Sequence, residues 1–525
     1  MRDHTVELDQ SETPAAIRIA PVFNVAVPFV DRHVEEGRGA KAAIRTIDEE
    51  VTYAELAERV NRCGNALKNL GIGPGERILM MVEDCPEFIY LFFGAIKAGM
   101  VPVPVNTMLR VQDYSYLIGD SGCVALVYSP EFADVISAAL EDCGHRPGHV
   151  MTTTGADSLA SRMADASAEL APSSTAPDDD CFWLYSSGST GNPKGVVHGH
   201  KDMVYTGQCF AAETAGLTES DSYFSASKLF HSYGFGNALT FPLWLGGTCI
   251  LSDRRVNSEM AFEFIEQMRP TIFFGIPTLY AQQLQYLETA SPDTSSIRLC
   301  ISAGEALPGD VFRRWKEKTG TMILDGLGST EALHVFIGNT VETYKAGSSG
   351  RVVPRYEVRM VDEEGNPLPQ GEIGTVHVRG GSTAKYYWNN PEKTASTMLD
   401  DGWLNTGDMY YQDEDGWFIN CGRGDDMLKV GALWCSPFEI EARLIEHAKV
   451  LEAAVVGRPD EDLLTKPEAW VVLNDHADAG EVLEQALRDH CRDALDHYKY
   501  PRWFNFVEEL PKTATGKIQR FKLRG

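Results

Sequence analysis

Short apolar runs alternate with segments of helical periodicity along residues 51–324, and this alternation is typical of a parallel α/β sheet. Residues 271–275 and 299–302 are almost wholly apolar and predict buried strands that end in loops. The apolar residues 182–184 predict a further strand. Because α/β sheets bind their ligands at the loops that follow the strands, those loops are the expected place for a site.

Capping residues mark two helix starts. Thr52 and Glu55 have the spacing of a capping box and predict a helix that begins at Tyr53. Ser436 precedes a proline and lies three residues before Glu439, which predicts a second N-cap.

The residue composition and the predicted secondary structure change along the chain. Residues 147–177 are rich in Ala, Ser, Thr and Asp and are predicted as a surface connection, whereas residues 350–423 predict short strands and hairpins. A chain of 525 residues is too long to fold around a single hydrophobic core, so two or more domains are expected. We expect an α/β protein with a large N-terminal domain of stacked α/β sheets and a β-rich subdomain, residues 1–424, followed by a small α/β domain, residues 425–525.

Composition narrows the function. The net charge of -28 opposes binding to nucleic acids or anionic membranes, but local lysines can still hold a polyanion such as ATP or coenzyme A. Residues 1–13 lack the pattern of a signal peptide, and the most apolar stretch, residues 235–251, is broken by Pro and Gly and predicts a buried helix and strand. The 11 cysteines form no C-x-x-C pair, which indicates reduced thiols and a cytoplasmic protein.

The strongest chemical signal is the segment YSSGSTGNPKG at residues 185–195. Its glycines let the backbone approach a ligand, its hydroxyls can donate, and successive backbone N–H groups can form a nest for a triphosphate. The spacing differs from a Walker A loop and from a nucleophile elbow. A flexible linker is the alternative, but a linker would not lie between two apolar strands. The predicted phosphate-binding residues are Ser186, Ser187, Gly188, Ser189, Thr190, Gly191 and Lys194.

A second signal is GLGSTE at residues 326–331, predicted as a glycine-rich turn after the apolar residues 322–324. The Glu331 carboxylate beside two hydroxyls is a plausible Mg²⁺ site, because Mg²⁺ prefers oxygen ligands and bridges phosphates. His198 and His200 lack a third ligand in the sequence and are predicted as hydrogen-bonded loop residues.

These motifs, in this order, resemble the adenylate-forming superfamily of acyl-CoA synthetases, firefly-type luciferases and peptide-synthetase adenylation domains. The resemblance covers nearly the whole chain and is strongest to benzoate-CoA ligases and related aryl-CoA ligases. It implies activation of an aromatic carboxylate as acyl-AMP and its transfer to coenzyme A, with ATP and coenzyme A as cosubstrates and Mg²⁺ as the metal. The segments that indicate this branch are KLFHSYG at 228–234, GNALTFP at 236–242, GSTEALH at 328–334 and DMLKV at 426–430.

The resemblance also implies roles in nucleotide binding. Glu331 would hold the metal and Thr330 would contact the α-phosphate. At the position of Leu327 the superfamily usually has an aromatic residue that stacks on adenine. The remaining implied ATP contacts are Gly304, Glu305, Asp325 and Gly326 around the adenine, and Asp408 and Arg423 at the ribose.

The acyl pocket implied by the resemblance surrounds Tyr233, which would pack on the substrate ring. Amino-acid-activating relatives usually carry an aspartate in this segment, and its absence argues against an amino-acid substrate. Ser232 and His231 are the polar groups that could meet a ring hydroxyl or amine. The other pocket residues are Ala303, Gly328, His334 and Ile337.

Two lysines are implied to serve the two half-reactions. Lys517, in PKTATGKIQR at residues 511–520, would stabilise the charge of adenylation, and Lys429 would line the thiol path. The C-terminal domain would be mobile and turn about a hinge at Asp425. Gly431 and Ala432 would border the coenzyme A path, where many relatives have glycine in place of Ala432.

Three other functions stay open from the sequence. A non-aromatic short or medium carboxylate could be the substrate, the acyl acceptor could be a carrier protein, or the chain could be a catalytically silent nucleotide-binding regulator. Retention of Lys517 and Glu331 argues against the last. The expected partners are small molecules rather than nucleic acid or membrane. The sequence does not specify the oligomeric state, and a homodimer is one option because dimers are common among soluble enzymes.

Overall fold

The structure is a computed structural model that describes residues 1–186, 192–424, 426–430, 433–461, 464–512 and 518–524. Its largest sheet has nine described strands, of which the central six are parallel and the edge strands antiparallel. In spatial order these strands are Arg351–Val352, Val335–Gly338, Ile323–Gly328, Leu299–Ala303, Ile272–Gly275, Ser222–Ser225, Thr248–Ile250, Ala42–Arg45 and Glu50–Thr52.

A second, wholly parallel sheet lies beside the first. Its described strands, in spatial order, are Val101–Pro104, Arg77–Met81, Ala125–Tyr128 and His149–Thr152. One apolar cluster joins side chains of both sheets with those of helices Tyr53–Asn69 and Pro86–Lys97. These helices are therefore packed between the sheets, and the predicted class of stacked α/β sheets is confirmed.

Smaller antiparallel sheets complete the N-terminal part. Tyr386–Tyr387, Lys194–Gly199 and Asp180–Ser186 form one sheet, and Val6–Asp9 pairs with Ala16–Ile19. The predicted β-rich region contains the strands Glu357–Val361, Gly374–Arg379, Leu404–Gln412 and Phe418–Arg423.

The C-terminal residues form their own apolar core. Strands Val450–Pro459, Thr465–Leu473 and Trp503–Phe506 make a sheet, Leu428–Val430 pairs with Leu433–Cys435, and helices Pro437–Ile445 and Glu481–Arg492 pack with them. The Ser436 side chain accepts a hydrogen bond from the Glu439 N–H, so the predicted N-cap is confirmed.

Helices cover the sheets. In the described ranges the other α-helices are Arg32–Glu35, Val111–Ser121, Ala133–Asp142, Leu159–Ala164, His200–Thr206, Ser232–Phe235, Phe241–Leu245, Ser258–Met268, Pro277–Tyr286, Gly309–Thr319 and Pro391–Thr397. Val27–Asp31, Gly207–Thr214 and Gly236–Thr240 are π-helical, and Pro130–Phe132, Asp400–Gly402, His476–Asp478 and Arg520–Lys522 are 3₁₀ turns. The capping box of Thr52 and Glu55 is confirmed at the start of Tyr53–Asn69. No helix among the described residues is both long and apolar enough to cross a bilayer.

Most of the segment 147–177 is exposed or half-buried, as predicted for a surface connection, but it also contains strand His149–Thr152 and helix Leu159–Ala164, which buried residues such as Leu159 anchor in the core. One local prediction is wrong. Gly326 and Gly328 lie in strand Ile323–Gly328 instead of a turn. A Cβ at Gly326 would lie 2.7 Å from Val335 Cγ1, and one at Gly328 would lie 2.7 Å from the His334 carbonyl oxygen. Glycine is thus required here by the close approach of the neighbouring strand.

Candidate active site

Glu331 is the centre of a polar group at the edge of the large sheet. It follows strand Ile323–Gly328, and its carbonyl accepts a hydrogen bond of 2.7 Å from the Ala384 N–H. Its carboxylate oxygen Oε1 accepts from the Tyr387 hydroxyl at 2.7 Å and from Ser186 Oγ at 3.4 Å. The predicted residues Glu331 and Ser186, which are distant in sequence, are therefore neighbours in the structure.

Lys194 joins this group from the first position of strand Lys194–Gly199. Its Nζ lies 5.0 Å from the centroid of the Tyr387 ring. Burial lowers the pKa of Lys194, while the negative charge of Glu331 opposes this shift. The hydroxyl of Tyr387 thus holds the Glu331 carboxylate, and its ring lies beside the Lys194 ammonium. The carboxylate could bind a cation and the ammonium a phosphate, so the arrangement suits a ligand that carries both.

Thr330 lies between this polar group and the predicted acyl pocket. Its hydroxyl is 3.2 Å from Ser232 Oγ. Its carbonyl is 2.9 Å from Nε2 of the buried His198, whose Nδ1 is 2.8 Å from Asp202. His200 Nδ1 accepts from the Val25 N–H at 3.2 Å. Both histidines therefore have hydrogen-bond partners within the protein, as predicted. Their predicted place in a loop is wrong, because His198 lies in strand Lys194–Gly199 and His200 begins helix His200–Thr206.

The two residues of the predicted ribose clamp lie opposite each other on antiparallel strands. Arg423 Nη1 is 3.0 Å from Asp408 Oδ1 and donates to the Thr406 carbonyl at 2.9 Å. Gly407 has a φ of +72°, which glycine adopts without strain, and the pairing with the neighbouring strand is irregular at this point. The pair can present both an acceptor and donors to a diol.

The residues predicted around the adenine lie at the ends of neighbouring strands. Ser302 and Asp325 are register partners, and Gly304 leaves the first strand with a φ of +93°. Burial raises the pKa of Asp325 well above its usual range. Glu305 Oε1 accepts a hydrogen bond of 3.1 Å from the Ile518 N–H, so the C-terminal residues reach this wall. Gly326 and Leu327 follow Asp325 in strand Ile323–Gly328, and Leu327 is 8% exposed.

The predicted acyl-pocket residues lie in one apolar region. Tyr233, Ala303 and Ile337 belong to a single buried cluster. The Tyr233 hydroxyl is 3.1 Å from the Gly275 carbonyl and 3.0 Å from the Ile301 carbonyl. Since this hydroxyl is held by the protein backbone, the ring surface of Tyr233 is what can face a substrate.

His334 borders the same pocket, and its ring centroid is 5.5 Å from that of Tyr233. Its Nε2 is 3.1 Å from Asn237 Oδ1. Burial lowers the pKa of His334 to about 3, with a smaller contribution from His231 in the same direction. His334 is therefore neutral near pH 7. Gly328 lies beside it, and Ser232 faces Thr330, as described above.

The described contacts of Lys429 are with Glu363 and Trp434, and neither belongs to the polar group at Glu331. Its Nζ is 3.1 Å from Glu363 Oε1 and lies over the Trp434 ring at 4.5 Å from the centroid. Several predicted site residues lie outside the described part of the chain. They are Ser187, Gly188, Ser189, Thr190 and Gly191 in the phosphate loop, Asp425, Gly431 and Ala432 near the predicted hinge, and Lys517.

Tyr387 was not predicted as a site residue. The sequence around it, an aromatic run before Asn389, carries no recognised chemical motif, and its role depends on a strand pairing that periodicity does not reveal. Among the described residues, no set of three His, Cys, Asp or Glu side chains could bind a metal. Ligands for a cation at Glu331 would therefore come largely from the substrate and water.

Comparisons with known proteins identify the family of the chain. Residues 30–388 match the model of the AMP-binding enzyme family, and residues 439–517 match the AMP-binding enzyme C-terminal domain. A benzoate–CoA ligase of Thauera aromatica is 46% identical over 522 residues, which cover 98% of each chain. The crystal structure of an anthranilate CoA ligase in complex with anthranoyl-AMP superposes with a TM-score of 0.92 at 40% identity, covering 96% of this chain and 97% of the other. A benzoate CoA ligase from Burkholderia xenovorans gives a TM-score of 0.88 at 41% identity, covering 96% of this chain and 100% of the other.

The chain belongs to the AMP-binding enzymes of the adenylate-forming superfamily. Within that superfamily it is most like the aryl-CoA ligases, AMP-forming acid–thiol ligases that use ATP and coenzyme A as cosubstrates. The predicted family and enzyme class are confirmed.

Proposed function

We propose that this enzyme converts an aromatic carboxylate, benzoate or a substituted benzoate, to its coenzyme A thioester through an acyl-adenylate. The observation that carries the proposal is the contact of 3.2 Å between Ser232 and Thr330. It joins the apolar pocket around Tyr233 to the polar group at Glu331 and Lys194. A ring in the pocket would thus present its carboxylate to a phosphate held by that polar group.

In the first half-reaction, a carboxylate oxygen attacks the α-phosphorus of ATP. The new P–O bond forms as the bond to the β-phosphate oxygen breaks, and pyrophosphate leaves. Lys194 and the loop at residues 186–191 would bind the phosphates, Thr330 would donate to the α-phosphate, and Lys517 would neutralise the developing charge. The protein therefore acts by positioning and charge stabilisation, without a covalent enzyme intermediate.

Glu331 fits a role in binding Mg²⁺. In both described hydrogen bonds to its carboxylate, from Tyr387 and from Ser186, the acceptor is Oε1 and not Oε2. A carboxylate beside the hydroxyl of Ser186, with Thr330 preceding it in the chain, supplies the hard oxygen donors that Mg²⁺ prefers. When bound with ATP, the metal would offset phosphate charge.

In the second half-reaction, the thiol sulfur of coenzyme A attacks the acyl carbon, the bond from that carbon to the phosphate oxygen breaks, AMP leaves, and the thiol proton passes to solvent. Lys429, Gly431 and Ala432 would line the thiol path after residues 425–525 turn as a domain about Asp425. The contact of Ile518 with Glu305, while Lys429 pairs with Glu363, supports an arrangement suited to the first half-reaction.

Asp425→Pro is expected to slow thioester formation and leave acyl-AMP formation near the wild-type rate, because proline restricts the backbone rotation that a hinge needs. Single-turnover assays of pyrophosphate release and of acyl-CoA formation separate the two steps. Asp425→Ala is the control, since alanine keeps that rotation. Equal loss of both steps in Asp425→Pro would contradict a hinge at this residue.

Turnover with a panel of acids tests the function as a whole. Enzyme, Mg-ATP and coenzyme A are mixed with benzoate, hydroxy- and aminobenzoates and alkanoates, and pyrophosphate, AMP and thioester are measured. The expected result is thioester formation with aromatic acids. A preference for alkanoates would refute the aromatic substrate. Pyrophosphate without thioester would favour a carrier-protein acceptor, and absence of turnover would favour a regulator.

The proposed location is the cytoplasm. All eleven cysteines are unpaired in the structure, and ten of them are buried, which suits a reducing compartment. A homodimer is part of the proposal on the frequency of dimers among soluble enzymes, and light scattering tests it.

A further inference from the structure

We propose that Tyr387 is a positioning residue that holds Glu331 and Lys194 in the arrangement needed to bind Mg-ATP. This inference rests on the proposed role of both residues in nucleotide binding. It assigns to Tyr387 two separate tasks, one for its hydroxyl and one for its ring.

The hydroxyl of Tyr387 fixes the carboxylate of Glu331. The phenol donates to Glu331 Oε1 at 2.7 Å, and the tyrosine is only 3% exposed. A glutamate side chain has three rotatable bonds, so a strong hydrogen bond to an ionised oxygen restricts where the carboxylate points. With Oε1 occupied by Tyr387 and Ser186, the carboxylate is oriented to offer Oε2 to a cation.

The ring of Tyr387 positions the ammonium of Lys194. Lys194 Nζ lies 5.0 Å from the ring centroid, within the range of a cation–π interaction. A π face attracts the charge without accepting an N–H bond in the way an oxygen does. The ammonium can therefore keep its donors for phosphate oxygens while the ring holds it near Glu331.

The backbone of Tyr387 is itself held in place. It pairs with Val196 in the strand that begins at Lys194, and its N–H donates to Thr394 Oγ1 at 3.0 Å. The next residue, Trp388, donates its N–H to the Gly195 carbonyl at 2.8 Å. Since Tyr387 and Lys194 belong to paired strands, their relative position is set by the sheet rather than by flexible side chains alone.

The neighbouring Tyr386 provides a matched control. Its hydroxyl also donates to a carboxylate, Asp180 Oδ2, at 2.6 Å. Successive side chains of a strand point to opposite faces, so Tyr386 lies on the same strand but outside the group at Glu331. Tyr386→Phe and Tyr387→Phe each remove one phenolic hydroxyl bonded to a carboxylate and keep the ring.

The test is the linkage between magnesium and ATP binding. Calorimetry gives the dissociation constant of ATP with Mg²⁺ and with EDTA, and Mn²⁺ titration of the enzyme–ATP complex followed by electron paramagnetic resonance reports the metal directly. Tyr387→Phe is expected to reduce the metal-dependent gain in ATP affinity by about tenfold, the size expected for a hydrogen bond to a charged group. Tyr386→Phe is expected to stay within about twofold of the wild type.

Two further variants separate positioning from packing. In a Glu331→Gln background, Tyr387→Phe is expected to have little additional effect, because the hydroxyl acts through that carboxylate. Replacement of Tyr387 by p-aminophenylalanine, which retains a donor on the ring, is expected to restore most of the metal-dependent affinity. This variant also tests the hydroxyl if Tyr387→Phe does not fold.

Equal behaviour of Tyr387→Phe and Tyr386→Phe, additive effects with Glu331→Gln, or failure of p-aminophenylalanine to restore affinity would each overturn the proposal. These measurements need neither an acid nor coenzyme A. A wild-type enzyme that binds Mg-ATP but rejects aromatic acids would therefore count against the proposed substrate and not against Tyr387.

Discussion

Lys517→Ala is expected to lower the rate of acyl-adenylate formation by at least about 10²–10³-fold. Adenylation brings a carboxylate and a triphosphate together, and a fixed ammonium stabilises the added charge without reorganising solvent. Lys517 lies outside the described residues, but its neighbour Ile518 donates its N–H to Glu305 at the adenine wall. On the other side of the segment, Lys512 forms an ion pair of 2.7 Å with Glu452. The contact with Glu305 supports delivery of Lys517 to the nucleotide, and the ion pair with Glu452 holds the segment on the C-terminal sheet.

The measurement is single-turnover pyrophosphate release with benzoate and Mg-ATP. Thioester formation from synthetic benzoyl-AMP and coenzyme A is measured in parallel, and there the variant should retain most of its activity. Lys522→Ala removes an exposed lysine five positions away and is the control for loss of charge. Pyrophosphate release at the wild-type rate in Lys517→Ala would refute the assignment.

Glu331→Gln is expected to reduce adenylation by about 10²-fold and to shift the rate to higher magnesium concentrations, because the amide cannot replace an ionised metal ligand. The substitution is nearly isosteric, and the amide oxygen can still accept from Tyr387. The fold is therefore expected to be retained.

Initial rates over a magnesium titration at saturating ATP test this expectation. Glu342→Gln removes one negative charge at an exposed position of the same N-terminal part and controls for the change in net charge. An unchanged magnesium dependence in Glu331→Gln would show that this carboxylate is not a ligand.

Local signals predicted much of this fold correctly. The capping box at Thr52 and the N-cap at Ser436 act through hydrogen bonds within four residues, so the sequence alone is sufficient to locate them. The buried strands Ile272–Gly275 and Leu299–Ala303 were found because a strand covered on both faces has few polar positions.

Long-range pairings account for the errors. Gly326 and Gly328 resemble turn glycines locally, but an antiparallel neighbour keeps them in a strand. Tyr387 reaches Glu331 through a sheet whose strands are far apart in sequence, and nothing in the local pattern specifies that pairing. The separate motifs containing Ser186, Lys194 and Glu331 are recognisable from their chemistry, whereas the position of Tyr387 between them is set only in the folded sheet.

The bonds from the Tyr233 hydroxyl to the carbonyls of Gly275 and Ile301 have a consequence for the evolution of new specificities. In the proposed acyl pocket, Tyr233 is thus tied to two adjacent parallel strands, and its ring would not move aside for a bulkier acid without the loss of buried hydrogen bonds. We therefore expect variants that accept wider rings to carry smaller residues at Ile337 or His334 and to retain Tyr233.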